Sequence, residues 1–351
     1  MAYSNINKPN EYFNTVLYTG NGGTQSITGV NFQPDLVWNK SRSSAFVHGL
    51  NDVVRGAGNT LISNNTDAEQ AWSAYFTSFD SDGFSMASGG GTFNASSVTY
   101  ASWNWLGGGT ASSNTDGSIT SNVSANTDSG FSIVSYTGTG ATATVGHGLS
   151  QTPEMVIVKL RSGSGTDWIT WGSVLGGTVG SEFIKLNLTT AKTTGLNSSW
   201  FNNTAPTSSV FTVGTQSDLN GSGSTYIGYC FNSVKGYSKF GSYTGNGNAD
   251  GTFVYTGFKP AWVLIKQTNS SNIWELFDNK RSPFNLVDDY LSPDASDAET
   301  TGSSQNLDFL SNGFKPRSSG SGLNGSGSSY IYMAFAENPL VAGNYVPTTA
   351  R

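Results

Sequence analysis

The sequence predicts an all-β chain of three tandem β-sandwich units of jelly-roll or lectin-like type. Three observations predict it: a set of landmark motifs that recurs three times, short β-branched and aromatic runs bounded by Gly or Pro, and an unusual composition. Of 351 residues, 44 are Gly and 13% are aromatic, whereas only 11% are charged, against about 25% in a typical soluble domain. So little charge does not fit a self-repelling disordered chain, and aromatic rings supply the apolar area that thin sandwich cores need. The length fits two or three domains of about 100 to 150 residues.

Each expected element follows from a landmark. Tyr-Thr-Gly-Asn/Thr-Gly occurs at Tyr18 to Gly22, Tyr136 to Gly140 and Tyr243 to Gly247, with starts 118 and 107 residues apart. After each comes a proline and a β-rich run that ends in lysine: Pro34 to Lys40, Pro153 to Lys159 and Pro260 to Lys266. These runs have strand composition and no helical period. A closing strand ends each unit, at Asn220-Gly-Ser-Gly-Ser-Thr-Tyr226 to Phe231, at Asn324-Gly-Ser-Gly-Ser-Ser-Tyr330 to Phe335, and more loosely at Asn94 to Trp105. The trios Tyr100/Trp103/Trp105, Tyr226/Tyr229/Phe231 and Tyr330/Met333/Phe335 are expected to turn their middle member to the opposite strand face. Asn-Gly, Ser-Gly and Asp-Gly steps supply hairpin turns.

The units are placed at 12–109, 128–236 and 237–341. They are preceded by an N-terminal arm over 1–11 and followed by a C-terminal tail over 342–351. A Gly/Ser/Thr/Asn-rich linker is expected over 110–127, with an edge strand in the weakly alternating part of it near Ser118 to Ala125. Asp67 to Tyr75 is the best helix-competent stretch and predicts one short surface helix or turn. The second and third units, joined with almost no gap, are expected to pack together.

The chemistry-bearing residues are sparse. Net charge is −6 and the basic residues are scattered, so the electrostatic footprint of a nucleic-acid partner is missing. No stretch approaches the roughly 20 apolar residues of a membrane helix, and Met1 to Lys8 does not read as a secretory signal. The single cysteine, Cys230, lies in a strand run and reads as a buried small hydrophobe. His48 and His147, the only histidines, fall at non-equivalent places away from clustered acids, which predicts no catalytic residues and no enzyme. Gly320-Ser-Gly322-Leu-Asn-Gly325 matches a dinucleotide fingerprint in letters, but a strand follows it where that motif needs a helix. No cofactor is implied. A weak calcium candidate is the acidic stretch of Asp288, Asp289, Asp294 and Asp297, because hard cations take several carboxylate oxygens; a solvated loop is the simpler reading. The repeated Asp52/Arg55 and Asp278/Arg281 pairs predict local ion pairs, and the second unit lacks them. Among nine tryptophans, most fall in strand slots: Trp38 matches Ile157 and Leu264, Trp105 matches Phe231 and Phe335, and Trp168 aligns with Trp274. Trp72, Trp171 and Trp200 remain as candidates for surface ligand contact.

The triplicate Tyr-Thr-Gly-x-Gly, the Pro-x-x-Val-x-x-Lys run, the Asn-Gly-Ser-Gly-Ser closing strand and Ser113-Asn-Thr-Asp-Gly-Ser-Ile-Thr-Ser121 together resemble a repeat domain of virion surface proteins in marine tailed bacteriophages. That domain is commonly labelled tail-fibre or lectin-like, and the resemblance covers nearly the whole chain. It implies a structural or adhesive role on the virion surface, as a tail-fibre component or capsid decoration, with other virion proteins and host surface polysaccharide as partners. Three units in one chain are also expected to imitate a trimer about a pseudo-threefold axis, and self-association into a homo-oligomer stays open. The rival readings are a bacterial extracellular lectin or filament subunit and, behind it, a glycan depolymerase, which needs two carboxylates facing across a groove.

Overall fold

The computed structural model describes residues 4–163, 165–176, 182–195 and 198–341; the expected C-terminal tail over 342–351 lies outside them. Among the described residues the regular structure is strand, apart from a four-residue helix at Ser217–Asn220 and two short 3-10 turns at Pro9–Glu11 and Ser173–Leu175. The fold is all-β.

Three large antiparallel sheets each come from a separate stretch of chain and share one strand pattern. In the first, the opening strand Phe13–Thr19 pairs with the closing strand Thr99–Trp105. The closing strand also pairs with the post-proline strand Leu36–Ser41, which pairs with Gly49–Asp52. The same order runs through Phe131–Thr137, Thr225–Phe231, Met155–Leu160 and Ile169–Gly172. It runs again through Ser238–Thr244, Ser329–Pro339, Phe258–Gln267 and Trp274–Asp278. Even the registers coincide: Tyr18 faces Tyr100, Tyr136 faces Tyr226, and Tyr243 faces Tyr330.

A smaller sheet covers one face of each large one. These small sheets are Gln25–Thr28 with Gly83–Met86 and Phe76–Asp80, Ala143–Gly146 with Val210–Val213, and Val254–Tyr255 with Gly313–Pro316 and Leu307–Leu310. Between the layers lie three separate apolar clusters, typified by Val37 and Phe84, Val156 and Phe211, and Val263 and Phe314. Alternation along the strands then aims the other face of all three large sheets at one shared core. There Trp105 lies 5.8 Å from Trp262 and 5.7 Å from Phe335, and Phe335 lies 6.3 Å from Phe231. Burying each such side chain contributes about 1.5–3 kcal/mol, so this shared core is a main source of cohesion between the three stretches.

Three expectations change. Trp103 and Trp105 share parity and both enter the shared core, as do Tyr229 and Phe231; it is the leading tyrosine of each trio that turns to the other face. Of the two alternatives for Asp67 to Tyr75 the turn is present and the helix is not, and an unexpected short strand, Gln70–Ala71, precedes that turn. The strand expected near Ser118 to Ala125 is present as Ser121–Asn126 beside Phe131–Thr137, but the supposed linker adds a second strand, Ser112–Asn114, outside it and so belongs to the second large sheet. Its polar composition hid this because small hydroxyls bury well when the backbone satisfies them. Ser121 Oγ donates to the Gly146 carbonyl at 2.8 Å, and Ser124 Oγ accepts from the Gly108 amide at 2.9 Å. The N-terminal arm is also docked, for Ser4 Oγ donates to the Lys235 carbonyl and Ile6 enters the shared core.

Candidate functional site

The Asp-x-x-Arg pairs sit where the sheets meet. Asp52 ends its strand, and its carboxylate accepts from the Arg55 amide at 2.9 Å and from Arg55 Nε at 2.5 Å. Arg55 then reaches the Leu50 carbonyl and Glu69. Asp278 and Arg281 repeat the arrangement, at 2.9 and 2.6 Å, with Leu276 and Glu299. Each aspartate takes one further bond from a closing strand of another stretch: Tyr229 Oη donates to Asp52 at 2.8 Å, and Trp103 Nε1 to Asp278 at 3.0 Å. Burial raises the Asp278 carboxyl, but Arg281 and Trp103 outweigh it and hold the group below its ordinary value. In the middle stretch Gly172 takes the aspartate's register position, and in the third stretch Met333 takes that of Trp103 and Tyr229. Acid and donor are absent together, which leaves that junction without an unpaired buried charge.

A second set of contacts runs around the three stretches in one direction. The Glu69 amide donates to Arg161, the Lys192 amide to Thr268 and the Glu299 amide to Arg42, at 3.0, 2.9 and 2.8 Å. Trp168 Nε1 donates to the Ile62 carbonyl and Trp274 Nε1 to the Lys185 carbonyl, while His48 Nε2 meets the Ser292 carbonyl at 3.0 Å. His48 thus occupies the slot that tryptophan fills in the other two stretches. The signal was its position eight residues after Lys40, as Trp274 lies eight after Lys266. Beside these groups Lys40, Lys159 and Lys266 are buried, donate to backbone carbonyls, and are pushed down by burial to about 8. The lysine landmark in the sequence is therefore a structural one.

The tryptophan candidates do not come together. Trp171 is a core residue, 3% exposed, in the second cluster; its ring offers no surface to a ligand, which corrects that expectation. Trp200 is half-buried and packs its ring 4.2 Å from Phe183. Trp72 borders a cleft, about 400 Å³ in volume, where the loop around Phe46, the turn at Tyr75 and the loop Gly90 to Phe93 meet Ser296 of the third stretch. Glycine makes this cleft: a Cβ on Gly90 would lie 2.6 Å from the Tyr75 ring, and one on Gly91 2.4 Å from the Phe46 ring. Trp72 stands edge-on to Tyr75, with centroids 6.0 Å apart. Phe46, Trp72 and Tyr75 are all partly exposed.

The remaining candidates lie apart. Among the described residues no three His, Cys, Asp or Glu side chains converge as metal ligands do. Asp294 accepts from the Trp274 amide at 3.2 Å and is pushed by burial to about 6, while Asp297 is exposed. His147 is buried against the Thr207 carbonyl. Cys230 is a buried free thiol whose pKa burial pushes up to about 12.

Residues 8–339 match the family model described as Domain of unknown function (DUF7483), so the chain belongs to that family. No curated protein matches the chain.

Proposed function

We propose that this member of the DUF7483 family is a structural protein displayed on the surface of a virus particle, as a tail-fibre component or capsid decoration, where it contacts host surface glycans. The observation that carries the reading is the one-directional circuit of contacts around a shared aromatic core. On this reading three sandwich units of one chain stand about a pseudo-threefold axis and do the work of a trimer. Such a body is rigid, keeps its loops outward and carries its own assembly partners, which suits display on a particle. The large share of Ser, Thr, Asn and Gly in those loops suits contact with hydroxyl-rich ligands without net charge. The resemblance to phage virion surface domains points the same way.

Cryo-electron microscopy of the source particle tests this. Density for the chain on the head lattice or on the tail supports virion display, and tail density makes host attachment the leading role. A particle that lacks the chain altogether overturns the reading and favours a secreted lectin or filament subunit.

A further inference from the structure

The cleft beside Trp72 departs from the threefold pattern, and the departure is informative. In each stretch the leading tyrosine of the closing strand donates to one carbonyl: Tyr100 to Gly91, Tyr226 to Ser217 and Tyr330 to Ser321. These carbonyls mark equivalent loops. In the second stretch the loop is the short helix Ser217–Asn220, and Gln216 ahead of it donates to Ser199 Oγ at 3.2 Å. The third stretch closes the place with polar groups, since Gln305 lies against Gly320 and the buried Glu275 carboxylate against Gly322. The first stretch has Gly89, Gly90 and Gly91 there, and the space holds three partly exposed aromatic rings. Core packing does not require such an opening, because the third stretch folds with the place filled.

We propose that this cleft binds one neutral hexose unit of a polysaccharide, an inference that rests on the glycan-contact reading above and names its site. Its volume, about 400 Å³, falls within the roughly 300–1,000 Å³ of small-molecule sites. Trp72, Tyr75 and Phe46 present apolar rings to the C–H face of a sugar, and the hydroxyl-bearing residues Thr92 and Ser296 stand in the walls. Among the described residues no charged side chain lines the cleft, so a uronic or sialic acid would bury a carboxylate without a partner, which is costly. Ser296 comes from the third stretch, so the site is complete only when the circuit is closed.

Saturation-transfer NMR on the full chain, with methyl glycosides of galactose, glucose and mannose and with methyl glucuronide, reads this directly. Transfer to at least one neutral glycoside is expected, with none to the glucuronide. Trp72→Ala and Ser296→Glu should each weaken binding about tenfold or more, while Trp200→Ala leaves it unchanged. The Ser296 substitution lies on a loop outside the cores and guards against a folding artefact at Trp72. Absence of transfer to every neutral glycoside, a preference for the glucuronide, or binding that survives both cleft variants overturns the inference. Retention of the chain on immobilised host polysaccharide separates the two readings. If wild type and both variants are retained alike, the cleft assignment fails and glycan contact stands; if wild type is not retained, glycan contact itself fails.

Discussion

Arg55 and Arg281 show how far a single side chain can commit this fold. Each guanidinium is fully buried and donates to two carboxylates and a backbone carbonyl, and Arg55 donates also to the Asn59 carbonyl and to Tyr229 Oη. Removing one partner of a buried pair strands the other charge, at a cost of about 3–5 kcal/mol. Arg55→Ala should therefore lower stability by about that much, seen as a reduced midpoint in urea unfolding; a loss under about 1 kcal/mol would mean that the pair is solvated. Glu275 poses the opposite problem. Burial, with Asp294 adding repulsion, pushes its carboxyl up to about 8, and its Oε2 meets no donor among the described residues. The unfolded chain loses that proton near about pH 4.3. Between there and pH 8 the folded state holds more protons, so stability falls as pH rises through that window. Glu275→Gln keeps the shape and removes this term. Its stability relative to wild type should rise from pH 5 to pH 8, and denaturant midpoints that differ equally at both pH values would refute the assignment.

Among the elements, the turn that opens each stretch explains why its motif was so easy to see. Asn94, Asn220 and Asn324 each take an amide from the Tyr-Thr-Gly turn on Oδ1 and return Nδ2 bonds to backbone carbonyls. The first glycine of each turn leaves no room for a Cβ, which would lie 2.3–2.4 Å from a carbonyl oxygen, and the second adopts positive φ. Loss of several bonds at once from a buried amide costs about 2–3 kcal/mol. Asn220→Ala and Asn324→Ala should each destabilise by that amount and by similar amounts, as measured by chemical unfolding; unequal losses would show that the two braces differ. These features were legible in the sequence because turn geometry admits few residue types. The central strands were legible for the same reason, through β-branched and aromatic runs next to proline. What escaped notice lies in pairings that have no local code. The strand Ser112–Asn114 pairs outside the expected edge strand with no apolar alternation to announce it, and His48 replaces a tryptophan that donates to another stretch. The cleft escaped too: Trp72 stood out as a surplus aromatic, but nothing local joined it to Phe46, to the glycine loop or to Ser296.

For the whole molecule, the question is whether the three sheet-bearing stretches unfold as one body or as three. Each has its own interlayer cluster, which favours independence, yet the shared core draws Trp105, Phe231, Trp262 and Phe335 from all three. The first and third stretches, distant in sequence, are tied by Arg42 to Glu299 at 2.7 Å and by Trp103 to Asp278 at 3.0 Å. An isolated stretch would present its share of the aromatic core to water, so removal of any one stretch costs the other two their cover. Coupling of that kind makes partial unfolding more costly than full unfolding. Calorimetry should then show a single transition whose calorimetric and van't Hoff enthalpies agree. Trp105→Ala should shift that single transition downward by the equivalent of about 3–5 kcal/mol without splitting it. Two or three resolved transitions in the wild-type chain would instead mean that the interlayer clusters dominate, and that the circuit of contacts only positions three bodies able to fold without one another.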